Sequence, residues 1–194
     1  MKTAKLPGKV HIPKILLIGA GRFGEKHLQT LQTLEKKGKL SIVGAVVNST
    51  KTQKKIEKKY NIKVWTELND ELLLSVDAVD IVTPPETHLE IALRCLPFTN
   101  ILIEKPLATT TKDAQKISEV AKKYKHIVMV GYIYRFHPVT EKLHDIIAPL
   151  KKDPCHITGT FINPIGSDTN QNISLELPHL FDIVNFIFKL SPTI

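Results

Sequence analysis

The residues Gly19-Ala20-Gly21-Arg22-Phe23-Gly24 have the spacing G-x-G-x-x-G. What that spacing can do depends on its flanks. Here an apolar run, Lys14–Ile18, precedes it and an amphipathic stretch follows it. In such a setting each glycine has its own task. Gly19 permits a tight turn, Gly21 lets the backbone approach a pyrophosphate, and Gly24 lets the helix pack close to the strand. The helix opening at the loop directs unsatisfied N–H groups and a partial positive charge to the same place, which favours an anion there. The pattern predicts a phosphate cradle for a dinucleotide, lined also by Arg22 and Phe23.

Such a loop needs a sheet behind it, and the periodicity supplies one. Lys14–Ile18, Leu40–Val47, Lys63–Trp65, Ala78–Val82, Asn100–Ile103 and Ile127–Val130 read as strands. Between them Gly24–Lys37, Lys51–Tyr60, Asn69–Ser75, Glu86–Leu96 and Thr111–Lys123 read as helices, with Asn69 as a cap. On the first helix Phe23, His27, Leu28, Leu31 and Leu34 fall on or near one stripe. Several strands are continuous apolar runs, as strands buried on both faces should be. The alternation predicts an α/β fold, a doubly wound parallel Rossmann sheet. After Val130 the rhythm changes to a helix at Pro138–Leu150, a strand at Cys155–Asn163, a polar loop at Pro164–Ser174 and an apolar helix at Leu177–Leu190. The expected organisation is a loose leader at 1–13, a dinucleotide-binding domain at 14–137, and the start of an incomplete α+β domain at 138–194.

The end of the second strand bears on which dinucleotide is held. An acid there would bond the ribose hydroxyls of NAD and repel the 2′-phosphate of NADP. The chain reads Val46-Val47-Asn48-Ser49-Thr50-Lys51, without an acid. Asn48 can bond a ribose hydroxyl, and Ser49, Thr50 and Lys51 can cradle a 2′-phosphate while capping the next helix. NADP is therefore favoured over NAD.

Composition narrows the class. The 194 residues carry a formal charge of +8, mostly on lysines in helix-like segments. Arginine, the usual base-reading residue, is confined to Arg22, Arg94 and Arg135, so no nucleic-acid partner is expected. The positive field still draws anionic ligands such as dinucleotides. No apolar run approaches the roughly 18–20 residues that span a bilayer, so no membrane association is expected. Met1–Lys14 is interrupted by Pro7, Gly8 and Pro13 and lacks the apolar core of a signal peptide. Cys95 and Cys155 lack metal or redox spacing, so no metal is expected and a reduced, cytoplasmic setting fits.

Four segments in order, each at a strand end, carry a resemblance: Gly19–His27 (GAGRFGEKH), Thr83-Pro84-Pro85-Glu86-Thr87-His88, Glu104-Lys105-Pro106 and Gly131–Pro138 (GYIYRFHP). Together they resemble the Gfo/Idh/MocA oxidoreductases, the family of glucose–fructose oxidoreductase and inositol dehydrogenase. The resemblance covers about residues 14–190. It implies NAD(P)-dependent hydride transfer to or from a sugar, polyol or related hydroxyl or carbonyl substrate. Lys105 then lies near the nicotinamide and the reacting carbon, where an ammonium can stabilise a developing alkoxide or relay its proton. Glu104 pairs with or orients that lysine, and Pro106 stiffens the turn. Thr83, Pro84 and Pro85 flank the riboses as a rigid wall, with His88 a ligand contact or a helix-cap histidine. Arg135 and His137 lie beyond the sixth strand, and Arg135 supports structure at the domain junction.

His179-Leu180-Phe181-Asp182 matches the family's His-x-x-Asp on an inter-domain helix, where i, i+3 spacing places both side chains on one face. The resemblance makes His179 an acid/base or substrate-hydroxyl ligand, with Asp182 behind it. The family's acid four residues before that histidine is absent, since position 175 is leucine. Glu176 is the nearest substitute. Family members continue for more than a hundred residues beyond this point. The expectation is therefore either a fragment or a short form completed by a partner chain or homo-oligomer. The apolar face Phe181, Ile183, Val184, Phe186, Ile187 and Phe188 would then need cover, or the chain would associate. The alternative to an enzyme is a non-catalytic dinucleotide-binding regulatory module of the same fold.

Overall fold

A computed structural model of the chain describes residues 11–147 and 177–188. The expected strand at 155–163, the loop at 164–174, Glu176 and most of the leader lie outside the described residues. The chain divides into two compact units, Met1–Val130 and Gly131–Ile194. The segment Gly131–His137, placed with the first domain on sequence grounds, goes with the second unit.

The first unit holds strands β1 (Lys14–Ile18), β2 (Ser41–Val46), β3 (Val64–Trp65), β4 (Ala78–Ile81), β5 (Asn100–Ile103) and β6 (Val128–Val130). Its helices are α1 (Arg22–Lys36), α2 (Thr50–Tyr60), α3 (Asp70–Leu74), α4 (His88–Cys95) and α5 (Thr111–Tyr124). All strand pairs are parallel, in the order β3-β2-β1-β4-β5-β6. The order in which strands are added therefore reverses between β1 and β4, and the carboxyl ends of these two parallel strands border the crevice where such sheets bind ligands.

Alternation along each strand feeds two cores. Leu16, Ile18, Val79, Ile81, Ile101 and Ile103 face one way and pack with Leu73, Ala92, Cys95 and Ile117 from α3, α4 and α5. Leu17, Ala45 and Val82 face the other way and pack with Leu28, Leu31 and Ile56 from α1 and α2. Asp80 lies between Val79 and Ile81 on β4, so a carboxylate falls on the α1 side of an otherwise apolar strand, only 3% exposed. Burial also pushes the Cys95 thiol up to about 12.

Side-chain caps set the helix starts. The Ser49 hydroxyl accepts from Thr52 N, Asn69 from Leu72 N, and Thr110 from Asp113 N. α2 and α5 stop at Asn61 and Lys125, both in the left-handed region. The stretch expected as a single helix from Glu86 begins instead with a 3₁₀ turn, Pro85–Thr87, and becomes α-helical at His88.

In the second unit a 3₁₀ turn, Ile133–Phe136, leads into α6 (Pro138–Ile147), which packs with α7 (Leu177–Phe188). The His144 ring stacks on Phe186 at 4.9 Å between centroids. Of the face expected to need cover, Phe181 is exposed, Ile187 is buried, and Ile183, Val184, Phe186 and Phe188 are half-buried.

Candidate functional site

The glycine loop joins β1 to α1. Gly19 has φ +93°, and a Cβ there would lie 2.3 Å from the Val82 carbonyl oxygen. A Cβ on Gly24 would lie 2.0 Å from the Gly19 carbonyl oxygen. The protein's own backbone excludes a side chain at both positions. Gly21 differs: its backbone is extended, it is the N-cap of α1, and a Cβ there would meet nothing within 4 Å. Packing gives no reason for glycine at 21, whereas close approach of a phosphate to the α1 N-terminus does. The cradle therefore fits the diphosphate of a dinucleotide. Arg22 and Phe23 are exposed beside it.

Around the loop stand the segments that follow β2, β4 and β5. Asn48, Thr50 and Lys51 are exposed, while Ser49 is occupied as the α2 cap, its hydroxyl 3.0 Å from Thr52 Oγ1. After β4, Pro84 is exposed and Thr83 half-buried, and the Thr87 hydroxyl lies 2.8 Å from both the Thr83 hydroxyl and the Pro84 carbonyl. Pro85 is half-buried at the start of the 3₁₀ turn. After β5 comes Glu104-Lys105-Pro106, with Lys105 half-buried and its peptide to Pro106 cis. Glu104 is anchored by its backbone N–H, which donates to the Ile81 carbonyl at 3.0 Å.

His88 is fully buried, and this redirects it. Its Nδ1 lies 2.9 Å from the Pro106 carbonyl oxygen and its Nε2 2.9 Å from the Thr83 carbonyl oxygen. Both partners only accept, so a neutral ring satisfies one and a protonated ring both. The ring joins the loop after β4 to the turn after β5.

One group of functional interest was not singled out from the sequence. His27 on α1 lies with Nδ1 2.9 Å from Asp80 Oδ2 and Nε2 3.3 Å from Glu104 Oε1. Burial works against a charged ring, but the bonds from Asp80 and then Glu104 outweigh it and raise the imidazole to about 9. The second Glu104 oxygen accepts from the Lys105 backbone N–H at 3.2 Å. Glu104 thus addresses the lysine through its main chain. The available signal was an acid in a strand otherwise written as core, facing a histidine on a helix's apolar stripe.

Outward of this, Glu25 on α1 is held by Lys55, Lys59 and Tyr60 of α2. The bonds from Lys55, then Lys59 and Tyr60, hold its carboxyl down at about 2. That cluster ties α1 to α2 and compensates the Glu25 charge in the first turn of α1.

In the second unit His179 is buried on α7, its ring edge-on to Tyr134 at 4.8 Å and Tyr132 at 6.3 Å. Asp182 is buried one turn on, and Arg135 takes both of its oxygens: Nε lies 2.9 Å from Oδ1 and 2.7 Å from Oδ2, and Nη2 also bonds Oδ1. The Arg135 guanidinium in turn lies over the rings of Phe186 and Tyr132. The fork geometry makes Asp182 the anchor of Arg135. His137 supports the start of α6, its Nδ1 3.3 Å from Val139 N.

A glycine loop at the switch point of a 3-2-1-4-5-6 parallel sheet defines a Rossmann dinucleotide-binding domain. A family model described as an oxidoreductase family with an NAD-binding Rossmann fold matches residues 13–132, and the chain belongs to that family, Gfo/Idh/MocA. It is 32% identical over 137 residues to a 4-carboxy-2-hydroxymuconate-6-semialdehyde dehydrogenase from a Sphingobium species, covering 69% of this chain and 42% of that protein. It is 31% identical over 131 residues to scyllo-inositol 2-dehydrogenase (NAD(+)) of Bacillus subtilis, covering 66% and 38%. A probable dehydrogenase from Thermotoga maritima shares the fold, with a TM-score of 0.74 at 23% identity over 92% of this chain and 56% of that one. The chain spans about two fifths of the length of the curated relatives it matches. Among the described residues, no helix is long and apolar enough to cross a membrane.

Proposed function

We propose that this chain supplies the nicotinamide-dinucleotide site of an NAD(P)-dependent oxidoreductase acting on a sugar, polyol or related hydroxyl or carbonyl compound. The observation that carries the reading is Gly21, a glycine that packing does not require, at the N-terminus of a helix whose loop is otherwise fixed by backbone contact. Gly19, Gly21, Arg22, Phe23 and Gly24 would hold the diphosphate. Asn48, Thr50 and Lys51 would meet the adenosine ribose, with Ser49 holding the α2 end. Thr83, Pro84 and Pro85 would wall the crevice. When bound, the dinucleotide supplies the hydride acceptor or donor.

The chain's part in the chemistry falls first to Lys105. Its ammonium stabilises the charge that develops on a substrate oxygen as the hydroxyl proton departs, or, in the direction of reduction, donates a proton to that oxygen. His179 is the second candidate for proton transfer or for holding a substrate hydroxyl, with Glu176 beside it in sequence. Asp182 serves through Arg135. The substrate class rests on relatives named as acting on inositol and on a semialdehyde. Association with a further copy or a partner chain, in a cytoplasmic setting, belongs to the same reading.

The test is calorimetric titration of the chain with NADH and NADPH separately. Binding of either supports the reading. A Kd for NADPH more than about tenfold weaker than for NADH, about 1.4 kcal/mol, removes the preference for NADP drawn from Asn48–Lys51. Binding of neither by the folded chain overturns the proposal. Binding without hydride exchange to inositols or to carbonyl sugars favours the regulatory-module alternative.

A further inference from the structure

Lys105 is the residue on which the proposed chemistry depends, yet it sits on a turn beyond the end of a strand. Something must fix that turn relative to the glycine loop. Two rings of the first unit reach it from opposite sides. His88 contacts the Pro106 carbonyl while also contacting the Thr83 carbonyl, both at 2.9 Å. His27 contacts Glu104 at 3.3 Å while also contacting Asp80 at 2.9 Å. The second link is the more informative, because it joins groups that would otherwise repel.

Asp80 and Glu104 project from adjacent parallel strands, Asp80 from β4 and Glu104 from just past β5. Their side chains are only 5% and 10% exposed. Two buried carboxylates so placed oppose each other unless a cation stands between them. The His27 ring stands there, 18% exposed, with one nitrogen toward each. Among the described residues these two acids are the charged groups facing the ring. Its own helix offers Phe23, edge-on at 5.1 Å, and Glu25 is turned to Lys55 and Lys59. With one Glu104 oxygen held by His27, the other is fixed where the Lys105 backbone N–H donates to it.

We infer that His27 is a positioning residue for Lys105: as an imidazolium bridging Asp80 and Glu104, it fixes the Glu104 carboxylate on the Lys105 amide and so ties the Lys105 turn to the helix that carries the glycine loop. A cation is needed, since a neutral ring donates to one carboxylate and faces the other with a lone pair. Loss of the proton leaves Glu104 free to turn outward to water, and the Lys105 amide loses its acceptor. The raised His27 value near 9 means that the tie holds through neutral pH. This rests on the reading that Lys105 is the reacting lysine, but the tie itself is tested without cofactor.

The experiment is residue-resolved amide hydrogen exchange of the full chain by NMR across pH, for the wild type and for His27→Gln. In the wild type, Lys105 N–H should be protected at neutral pH. It should lose roughly tenfold or more of that protection, beyond the intrinsic rise in exchange, as pH passes about 9, the scale of a hydrogen bond to a charged acceptor. Ile101 and Ile103 in β5 should keep theirs. In His27→Gln the Lys105 amide should exchange fast at every pH while β5 stays protected. A Lys105 amide with the same protection in both proteins, or one following β5 throughout the wild-type pH series, overturns the inference. Should His27→Gln fail to fold, the wild-type series decides alone. A confirmed tie together with a Lys105→Ala chain that binds and turns over dinucleotide like the wild type would instead overturn the role given to Lys105.

Discussion

The two faces of the glycine loop obey different constraints. On the inner face, Gly19 and Gly24 are dictated by the protein itself: a methyl at either would lie within 2.3 Å of a backbone oxygen. On the outer face Gly21 is dictated by nothing in the described chain, since a methyl there touches nothing within 4 Å. The inner glycines let the strand–loop–helix unit close, and their loss is a folding defect. The outer glycine leaves the helix N-terminus open, and under the proposed function its loss is a binding defect. The comparison separates the scaffold from the site within six residues.

The widest break in that comparison comes from Gly24→Ala. Its Cβ would sit 2.0 Å from the Gly19 carbonyl oxygen, and neither backbone can yield without opening the turn. Urea unfolding should show a loss on the order of 3 kcal/mol or more, the upper range for overpacking. An alanine variant as stable as the wild type would remove the inner-face argument. Gly21→Asp sharpens the other side. Aspartate is a good N-cap and has room, so stability should hold or rise slightly. Its charge on the phosphate approach should weaken NADH by roughly a hundredfold, about 2.7 kcal/mol by calorimetry. Undiminished binding would place the ligand elsewhere.

Behind the loop the His27 tie adds a dependence on pH. The folded value is raised from 6.5 to about 9, so the protonated ring favours the native state. Its contribution is complete below 6.5, where both states hold the proton, and is lost as pH rises through 9. Denaturation midpoints measured across that window should fall with rising pH, and less steeply in His27→Gln. Equal slopes would mean that the ring is not charged in the fold. The smallest effect lies farthest from the glycines: Ser49→Ala removes the α2 cap and should cost about 1 kcal/mol in thermal or urea unfolding. Its effect on NADPH affinity should be slight, because the hydroxyl is already engaged by Thr52.

Much of this scaffold was legible in the sequence because its signals are local. Apolar runs punctuated by caps gave β1 through β6 and their helices to within a residue or two at most ends, and Asn69 is the cap it was expected to be. Parallel winding followed from the alternation of strand and helix. The site was less legible, because its arrangement depends on partners distant in the chain. Asp80 reads as an odd letter in an apolar strand until His27, 53 residues earlier, is seen across from it. Asp182 reads as half of a helical pair until Arg135, 47 residues earlier, takes both its oxygens. His88 reads as a ligand contact or a helix cap, and only the fold shows it buried and joining two loops. The pattern predicted the glycine loop well because the strand, the turn and the helix N-terminus that make it are contiguous.

In the proposed function, Gly21 and the first turn of α1 receive the dinucleotide. The most direct test is amide hydrogen exchange of the chain with and without saturating NADH. Slowed exchange is expected at Gly21, Arg22, Phe23 and Gly24, whose N–H groups open α1, with little change along α5 on the far side of the sheet. Exchange at those four amides unaltered by NADH, or slowed only elsewhere, would contradict it.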